Sequence, residues 1–279
     1  MESISIVGVG LIGGSFALAL RKAGFQGRIL GVSSEATIQQ ALDQNVIDAG
    51  ATLEEAAAET NVLYLAQPIS GILKTLDALA RCIRSKTFVT DAGSTKNKIV
   101  TTASEVLRKG QFLGGHPMAG KALRGVGAAD ADLFVGRPYV FTPLHPEDLE
   151  TPRALAFRAW IERIGAVPIV LNPQDHDRIV AFTSHVPQLA STALAATLAA
   201  EPGSELSLQV CGPGAADMTR LAQSSFDLWQ DILATNTPAI DRALELYIDK
   251  LQKFRQNLTN QYLSDQFDKA SALASKFRR

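Results

Sequence analysis

Ser5-Ile6-Val7-Gly8-Val9-Gly10-Leu11-Ile12-Gly13-Gly14 is the stretch that decides the fold of this 279-residue chain. It holds a G-x-G-x-x-G run that begins at Gly8. The apolar segment Ile4-Ser5-Ile6-Val7 before it suits a buried parallel strand, and Ser15 to Lys22 after it suits a helix. A strand, a tight turn and a helix N-terminus together make a pyrophosphate site. Gly8 permits the turn, Gly10 lets backbone approach the phosphates, and Gly13 lets the helix pack closely on the strand. The first helical N–H groups, around Leu11 and Ile12, and the positive helix end then face the anion. A tight βα turn in an unrelated α/β protein is the bland reading, and the position at the first strand argues against it.

Outward from this turn, strand and helix alternate as far as Val170. Arg28 to Val32, Val62 to Ala66, Thr87 to Asp91, Phe112 to Gly114, Tyr139 to Thr142 and Val167 to Val170 read as strands. Thr37 to Gln44, Ser70 to Arg81, Asn97 to Lys109 and Pro152 to Ile164 read as helices. Short links between alternating β and α elements predict a Rossmann-type, doubly wound parallel sheet over residues 1–171. Gln67 and Pro68, at the end of the Val62 strand, join the expected cofactor site with the glycines.

From Pro173 the strand signals vanish, and residues 172–279 read as an all-helical C-terminal domain. Asp175 to Ala200 is one long or bent helix, Ser224 to Ala234 a second, and the last begins at Thr237-Pro238. On that last helix Ile240, Leu244, Tyr247, Leu251, Phe254 and Leu258 recur at threes and fours on one face. A helical domain of about 100 residues cannot easily cover so many apolar faces alone, which favours a homodimer through this domain.

A net charge of -1 gives no electrostatic footprint for nucleic acid. Val180 to Ala200 is apolar but is interrupted by His185, Pro187 and Gln188, so it reads as a buried helix and no membrane span is expected. The apolar start lacks a basic leader region, so no secretion signal is expected. Cys82 and Cys211 are far apart and match no metal spacing; packed thiols in a reducing cytoplasm are expected, with no metal.

Cofactor choice turns on the end of the second strand. NAD-selective folds usually carry an Asp or Glu there for the ribose 2′-OH. Here Val32 is followed by Ser33 and Ser34, whose hydroxyls can donate to a 2′-phosphate. The reading leans to NADP over NAD, although no arginine is at hand and Glu35 follows; helix capping is the plain role for two such serines.

The four histidines divide unevenly. His145 lies in a polar loop, and His176, between Asp175 and Asp177, reads as a surface or capping residue. His116 follows a strand, near the carboxyl edge of the sheet where open α/β folds bind ligand. His185 sits on an apolar helix, where a satisfied core role competes with one in the substrate cleft.

Five segments carry a resemblance to a known family. They are Gly8 to Ser15, Thr90-Asp91-Ala92-Gly93-Ser94-Thr95-Lys96, Gly114-Gly115-His116-Pro117-Met118-Ala119-Gly120, Ser184-His185-Val186-Pro187 and Asp217-Met218-Thr219-Arg220, with Trp229-Gln230-Asp231-Ile232 trailing. The chain resembles, almost end to end, the prephenate/arogenate dehydrogenases of tyrosine biosynthesis.

The resemblance implies a small cyclohexadienol substrate that loses a hydride to the nicotinamide and CO2 from the ring. It makes His116 the base at the ring hydroxyl, with Ser94 positioning His116, the hydroxyl or the nicotinamide. Neutral imidazole, with a pKa near about 6.5, suits that task. Arg220 would pair with a substrate carboxylate, Asp217 would orient Arg220, and His185 would line the cleft. Six residues after His116, where the family often carries a polar or acidic group that senses the substrate side chain, stands Ala122 beside Lys121. That departure favours prephenate only slightly and allows dual use. No regulatory domain is expected after the helical one, so feedback by tyrosine would act at the active site.

Two rival readings differ in class. Other two-domain reductases usually place a lysine acid in the second domain, and no lysine lies between Lys121 and Lys250. A non-catalytic dinucleotide sensor would have no use for the Ser94, His116 and Arg220 set.

Overall fold

The computed structural model describes residues 1–201 and 204–277. In chain order the elements are β1 (Ser3–Val7), α1 (Leu11–Lys22), β2 (Arg28–Val32), α2 (Glu35–Asp43), β3 (Ala49–Gly50), α3 (Leu53–Glu59) and β4 (Val62–Leu65). Then come α4 (Ile69–Cys82), β5 (Phe88–Asp91), α5 (Asn97–Val106), β6 (Phe112–Pro117), β7 (Pro138–Thr142), α6 (Pro152–Arg163), β8 (Val167–Val170) and α7 (Pro173–Val180). A π-helical turn, Ala181–His185, leads to α8 (Val186–Ala200), followed by α9 (Ser204–Gln209), α10 (Pro213–Thr219), α11 (Phe226–Thr235), α12 (Thr237–Gln256) and α13 (Gln261–Phe277).

The eight strands form one sheet in the order β3-β2-β1-β4-β5-β6-β7-β8. The chain leaves β1 in one direction and returns to its other side at β4, so the switch point lies between these two strands. Ligands of open α/β sheets bind outside the carboxyl ends of strands at such a point. Helices cover both faces. One face buries Phe16, Tyr64, Phe88, Phe157 and their neighbours, with the Phe16 and Tyr64 rings stacked at 4.1 Å. The other buries Leu63, Leu65, Val89, Ile72, Leu76 and Ile99.

Sheet direction departs from the expectation at one place: β7 runs antiparallel to β6, while β8 is parallel to β7. The reason lies between β6 and β7, where the chain forms only a three-residue 3-10 helix, Val126–Ala128. A parallel pair needs a crossover over the sheet face, usually a helix; this connection is long enough but holds no α-helix to pack there, and the chain turns back beside β6. β6 also extends to Pro117, so His116 lies inside the strand and not after it.

The chain forms two compact units, Met1–Val180 with Gln223–Asn236, and Ala181–Ala222 with Thr237–Arg279. Residues 223–236 thus return to the first unit. There Trp229 and Ile232 pack on the core beneath α4, and the Asp231 carboxylate accepts the Ser70 N–H at 2.7 Å, at the positive start of α4.

In the second unit, α8, α10 and α12 pack together with the π turn. The chain does not end in α12 as the apolar spacing implied; α13 follows it. Of the expected apolar face, Ile240 is buried, Leu244, Tyr247 and Phe254 are half-buried and Leu251 is exposed on α12, while Leu258 lies past the helix end and is exposed. Cys82 is half-buried, but Cys211 is exposed and is not a packed thiol. Among the described residues, no helix is long and apolar enough to cross a membrane.

Candidate active site

The glycine turn lies at the switch point. Gly8 has φ +95°, and a Cβ there would fall 2.8 Å from the backbone of Ala66 and Gln67. Gly13 has no room either: a Cβ would lie 2.2 Å from the Gly8 carbonyl oxygen and 2.7 Å from Ile6. Gly10 is different, because a Cβ there meets nothing within 4 Å. The backbone needs Gly8 and Gly13 as glycines, whereas the space over Gly10 is open at the N-terminus of α1, a 12-residue helix. The amides of Leu11, Ile12 and Gly13 belong to the first turn and have no acceptor within the helix. An open cradle at a helix N-terminus fits a dinucleotide pyrophosphate.

Gln67 and Pro68 flank this turn from the end of β4, and Pro68 caps α4. The Gln67 side-chain oxygen accepts from the Thr75 hydroxyl at 2.8 Å. At the end of β2, Ser33 is exposed. Ser34 is the N-cap of α2: its Oγ accepts the Thr37 N–H at 3.4 Å and lies 2.9 Å from the Thr37 hydroxyl.

The Thr90 to Lys96 segment has a clear mechanical role. Asp91 and Lys96 are both fully buried and ion-paired. Burial pushes the Lys96 ammonium below its usual pKa, against the opposing pull of Asp91. Together they hold Gly115, the residue before His116. The Gly115 N–H donates to Asp91 at 3.1 Å, and the Lys96 Nζ donates to the Gly115 carbonyl oxygen at 2.7 Å. A Cβ on Gly115 would lie 2.7 Å from both the Asp91 carbonyl oxygen and the Tyr139 hydroxyl, so that position also requires glycine. Asp91 further accepts the Gly93 N–H at 2.8 Å, which shapes the turn that carries half-buried Ser94. Ser94 follows β5, and His116 lies near the carboxyl end of the adjacent parallel strand β6.

His116 is half-buried, and its Nδ1 lies 2.8 Å from Nε2 of His176. His176 is fully buried on α7, which overturns the surface or capping role expected from its Asp-rich surroundings. Its own Nδ1 lies 2.8 Å from Oδ1 of Asp177. Asp177 also accepts the backbone N–H groups of Lys96 and Asn97 at 2.7 and 2.9 Å, capping the start of α5. Burial pushes the His176 pKa below its ordinary value; the nearby Lys96 charge adds to this, while Asp177 and Asp91 oppose it. His176 and Asp177 are the members that reading the sequence missed. The available signal was helical spacing: His176 precedes Val180 by one turn, and both are buried.

Lys121 and Ala122 lie in the loop after β6, both exposed. The Lys121 ammonium donates to Asp130 at 2.7 Å and holds that carboxyl below the usual carboxylate range. His145 is exposed, as its loop implied.

In the helical unit, Arg220 follows α10 and is exposed. It lines a cavity of about 500 Å³ together with Phe182, Met218, Tyr247 and Lys250. Asp217 lines the same cavity, but it forms no ion pair with Arg220 among the described residues. Lys250 itself reaches the cavity, so the lysine-free stretch does not leave this unit without a lysine. His185 ends the π turn, is 1% exposed, and is not among the cavity's lining residues.

A pyrophosphate cradle and an imidazole held by buried partners at the same sheet edge are what a nicotinamide-linked dehydrogenase requires, and the chain is of that class. Residues 16–169 match the family model described as prephenate dehydrogenase, nucleotide-binding domain. Residues 172–270 match the one described as prephenate dehydrogenase, dimerization domain. The chain belongs to the prephenate dehydrogenase family. It is 33% identical to a prephenate dehydrogenase of Lactococcus lactis subsp. cremoris, over 92% of this chain and 70% of that protein. Its fold matches the crystal structure of prephenate dehydrogenase from A. aeolicus in complex with hydroxyphenyl propionate and NAD+, with TM-score 0.87 and 30% identity, covering 100% of this chain and 98% of the other. It also matches the crystal structure of Synechocystis arogenate dehydrogenase, with TM-score 0.84 and 31% identity, covering 99% of each chain.

Proposed function

We propose that this chain catalyses oxidative decarboxylation of prephenate, arogenate or both, with hydride transfer to NAD(P), giving 4-hydroxyphenylpyruvate or tyrosine. The single observation that carries the reading is the held imidazole of His116 at the carboxyl edge of a nucleotide-binding sheet. A nicotinamide held at the glycine turn would supply the hydride acceptor for the hydroxyl-bearing ring carbon, and loss of CO2 would leave the ring aromatic. His116 accepts the hydroxyl proton as carbonyl character develops. Ser94, on the neighbouring strand end, positions that hydroxyl or the imidazole. Arg220 binds a substrate carboxylate, for which its planar fork is well matched. His185, buried immediately before α8, is the further residue assigned to substrate binding.

Ala122 offers no hydrogen bond to either substrate side chain, and Lys121 is engaged by Asp130. Both features support use of either substrate, with prephenate slightly preferred. NADP is the proposed cofactor over NAD, supported by the missing carboxylate after β2 and by exposed Ser33. The proposed assembly is a homodimer through the helical unit, supported by the exposure of Leu251 at 46%, Leu258 at 66% and Phe267 at 68%.

The test is turnover followed by reduced-nicotinamide absorbance, with prephenate and arogenate each offered with NAD and with NADP. Turnover in any pairing supports the reaction, and the fastest pairing decides substrate and cofactor. Silence in all four, with nucleotide binding shown separately, would move the reading to another dehydrogenase of the same fold.

A further inference from the structure

We propose that His176 and Asp177 fix the tautomer of His116 and so choose which of its two nitrogens acts as the base. The proposal rests on the reading of His116 as that base. It goes beyond the family match, because neither residue was expected at the site.

The inference follows from donor and acceptor bookkeeping along one chain of contacts. Three nitrogens converge on the Asp177 carboxylate: the donating N–H groups of Lys96 and Asn97, and Nδ1 of His176, 2.8 Å from Oδ1. An ionised carboxylate only accepts, so His176 must carry a proton on Nδ1. His176 is fully buried and lies near the buried Lys96 charge, conditions that favour the neutral ring. A neutral imidazole protonated on Nδ1 presents a lone pair on Nε2. That Nε2 is the atom 2.8 Å from Nδ1 of His116. His116 must therefore be the donor of this hydrogen bond, with its own proton on Nδ1 and its lone pair on Nε2.

The reverse arrangement fails at the far end. If His176 donated from Nε2, its Nδ1 lone pair would face the Asp177 carboxylate at 2.8 Å. Two acceptors would then be opposed in a buried site, which is costly. Free imidazole side chains in water favour the opposite tautomer, with the proton on Nε2, so the selection has to come from the protein. When His116 takes the substrate proton on Nε2, its Nδ1–H still points at His176. The contact then becomes a charge-assisted hydrogen bond. No proton needs to move along the chain; His176 and Asp177 act as positioning residues.

The test reads the tautomer without substrate or cofactor. The full chain is labelled with 15N-histidine, and long-range proton–nitrogen spectra are recorded at about pH 8, where unperturbed imidazoles are neutral. Signals are assigned with single histidine variants. The expected wild-type result is His116 protonated on Nδ1. A His116 protonated on Nε2 overturns the proposal. His176→Ala should return His116 to the solution-like form, and His176→Gln should keep the Nδ1 proton, because the glutamine oxygen can accept in place of Nε2. If His176→Ala fails to fold, the wild-type spectrum alone still decides.

Kinetics separate this inference from the function it rests on. His176→Ala should lower kcat roughly 10- to 100-fold with little change in KM, and His176→Gln should recover most of the loss. Full activity in His176→Ala would contradict the proposal. Full activity in His116→Ala would instead remove the base reading, while leaving the tautomer result intact.

Discussion

Nδ1 of His116 lies 2.8 Å from Nε2 of His176, joining strand β6 to helix α7 inside the nucleotide-binding unit. The contact orients half-buried His116, the proposed base, against a fully buried ring. It also places a second titratable ring, that of His176, in the interior.

Replacing the base should separate catalysis from stability. His116→Ala is expected to lower kcat by about 10²–10⁴, the usual span for a general base. Nucleotide affinity should stay near wild type. Steady-state kinetics with calorimetric nucleotide titration checks both; a kcat within about twofold of wild type would contradict the assigned role.

Arg220 is exposed on the wall of the helical unit's cavity. Arg220→Ala should raise KM more than it lowers kcat. Arg220→Lys tests the geometry: a loss equal to that of alanine means the carboxylate is held by the two-pronged guanidinium, and a small loss means charge alone suffices. Unchanged KM in both variants would take Arg220 out of the substrate site.

The glycine turn yields an opposed pair. A side chain at Gly10 meets no protein atom within 4 Å, so Gly10→Val should keep the wild-type melting temperature and lose nucleotide binding. At Gly13 a Cβ would strike the Gly8 carbonyl oxygen, so Gly13→Ala should lower the melting temperature as well. Equal nucleotide affinity in wild type and Gly10→Val would contradict the placement of the phosphates.

Much of this was legible from the chain, for local reasons. Gly8, Gly10 and Gly13 announce their turn because its demands are met within a few residues. His116 was legible because it follows an apolar run at a sheet edge. The direction of β7 was not, since a strand's own residues do not encode the direction of its neighbour; the clue was the missing helix between Pro117 and Pro138. His176 was hidden by its neighbours Asp175 and Asp177, which look like a solvated helix start. In the fold, Asp177 turns inward to cap α5, and that long-range bond takes His176 into the interior with it. The Asp91–Lys96 pair was seen as a motif, but its grip on Gly115 needs two strands in register.

Stability should fall in mild acid because of His176. Its folded pKa is depressed, chiefly by burial, so between that value and the ordinary one near 6.5 the unfolded chain binds more protons than the folded one. The contribution is fully present above about 6.5 and is lost as pH falls toward the folded value. Urea midpoints from pH 8 down to 5 should decline in the wild type, and His176→Gln should flatten part of that decline. Identical slopes in the two proteins would mean that His176 titrates alike folded and unfolded.

Exposed apolar residues on α12 and just past its end give the dimer prediction. Leu251→Glu with Leu258→Glu, at residues 46% and 66% exposed in the single chain, should shift sedimentation toward the monomer. An unchanged dimer would place the interface elsewhere.

The most direct test of the central claim is product stoichiometry with purified protein, prephenate and its better nicotinamide cofactor. The account predicts one CO2 and one 4-hydroxyphenylpyruvate for each cofactor reduced, all slowed by the same factor in His116→Ala. Cofactor reduction without CO2 release, or no reduction of NAD or NADP by prephenate or arogenate, would contradict it.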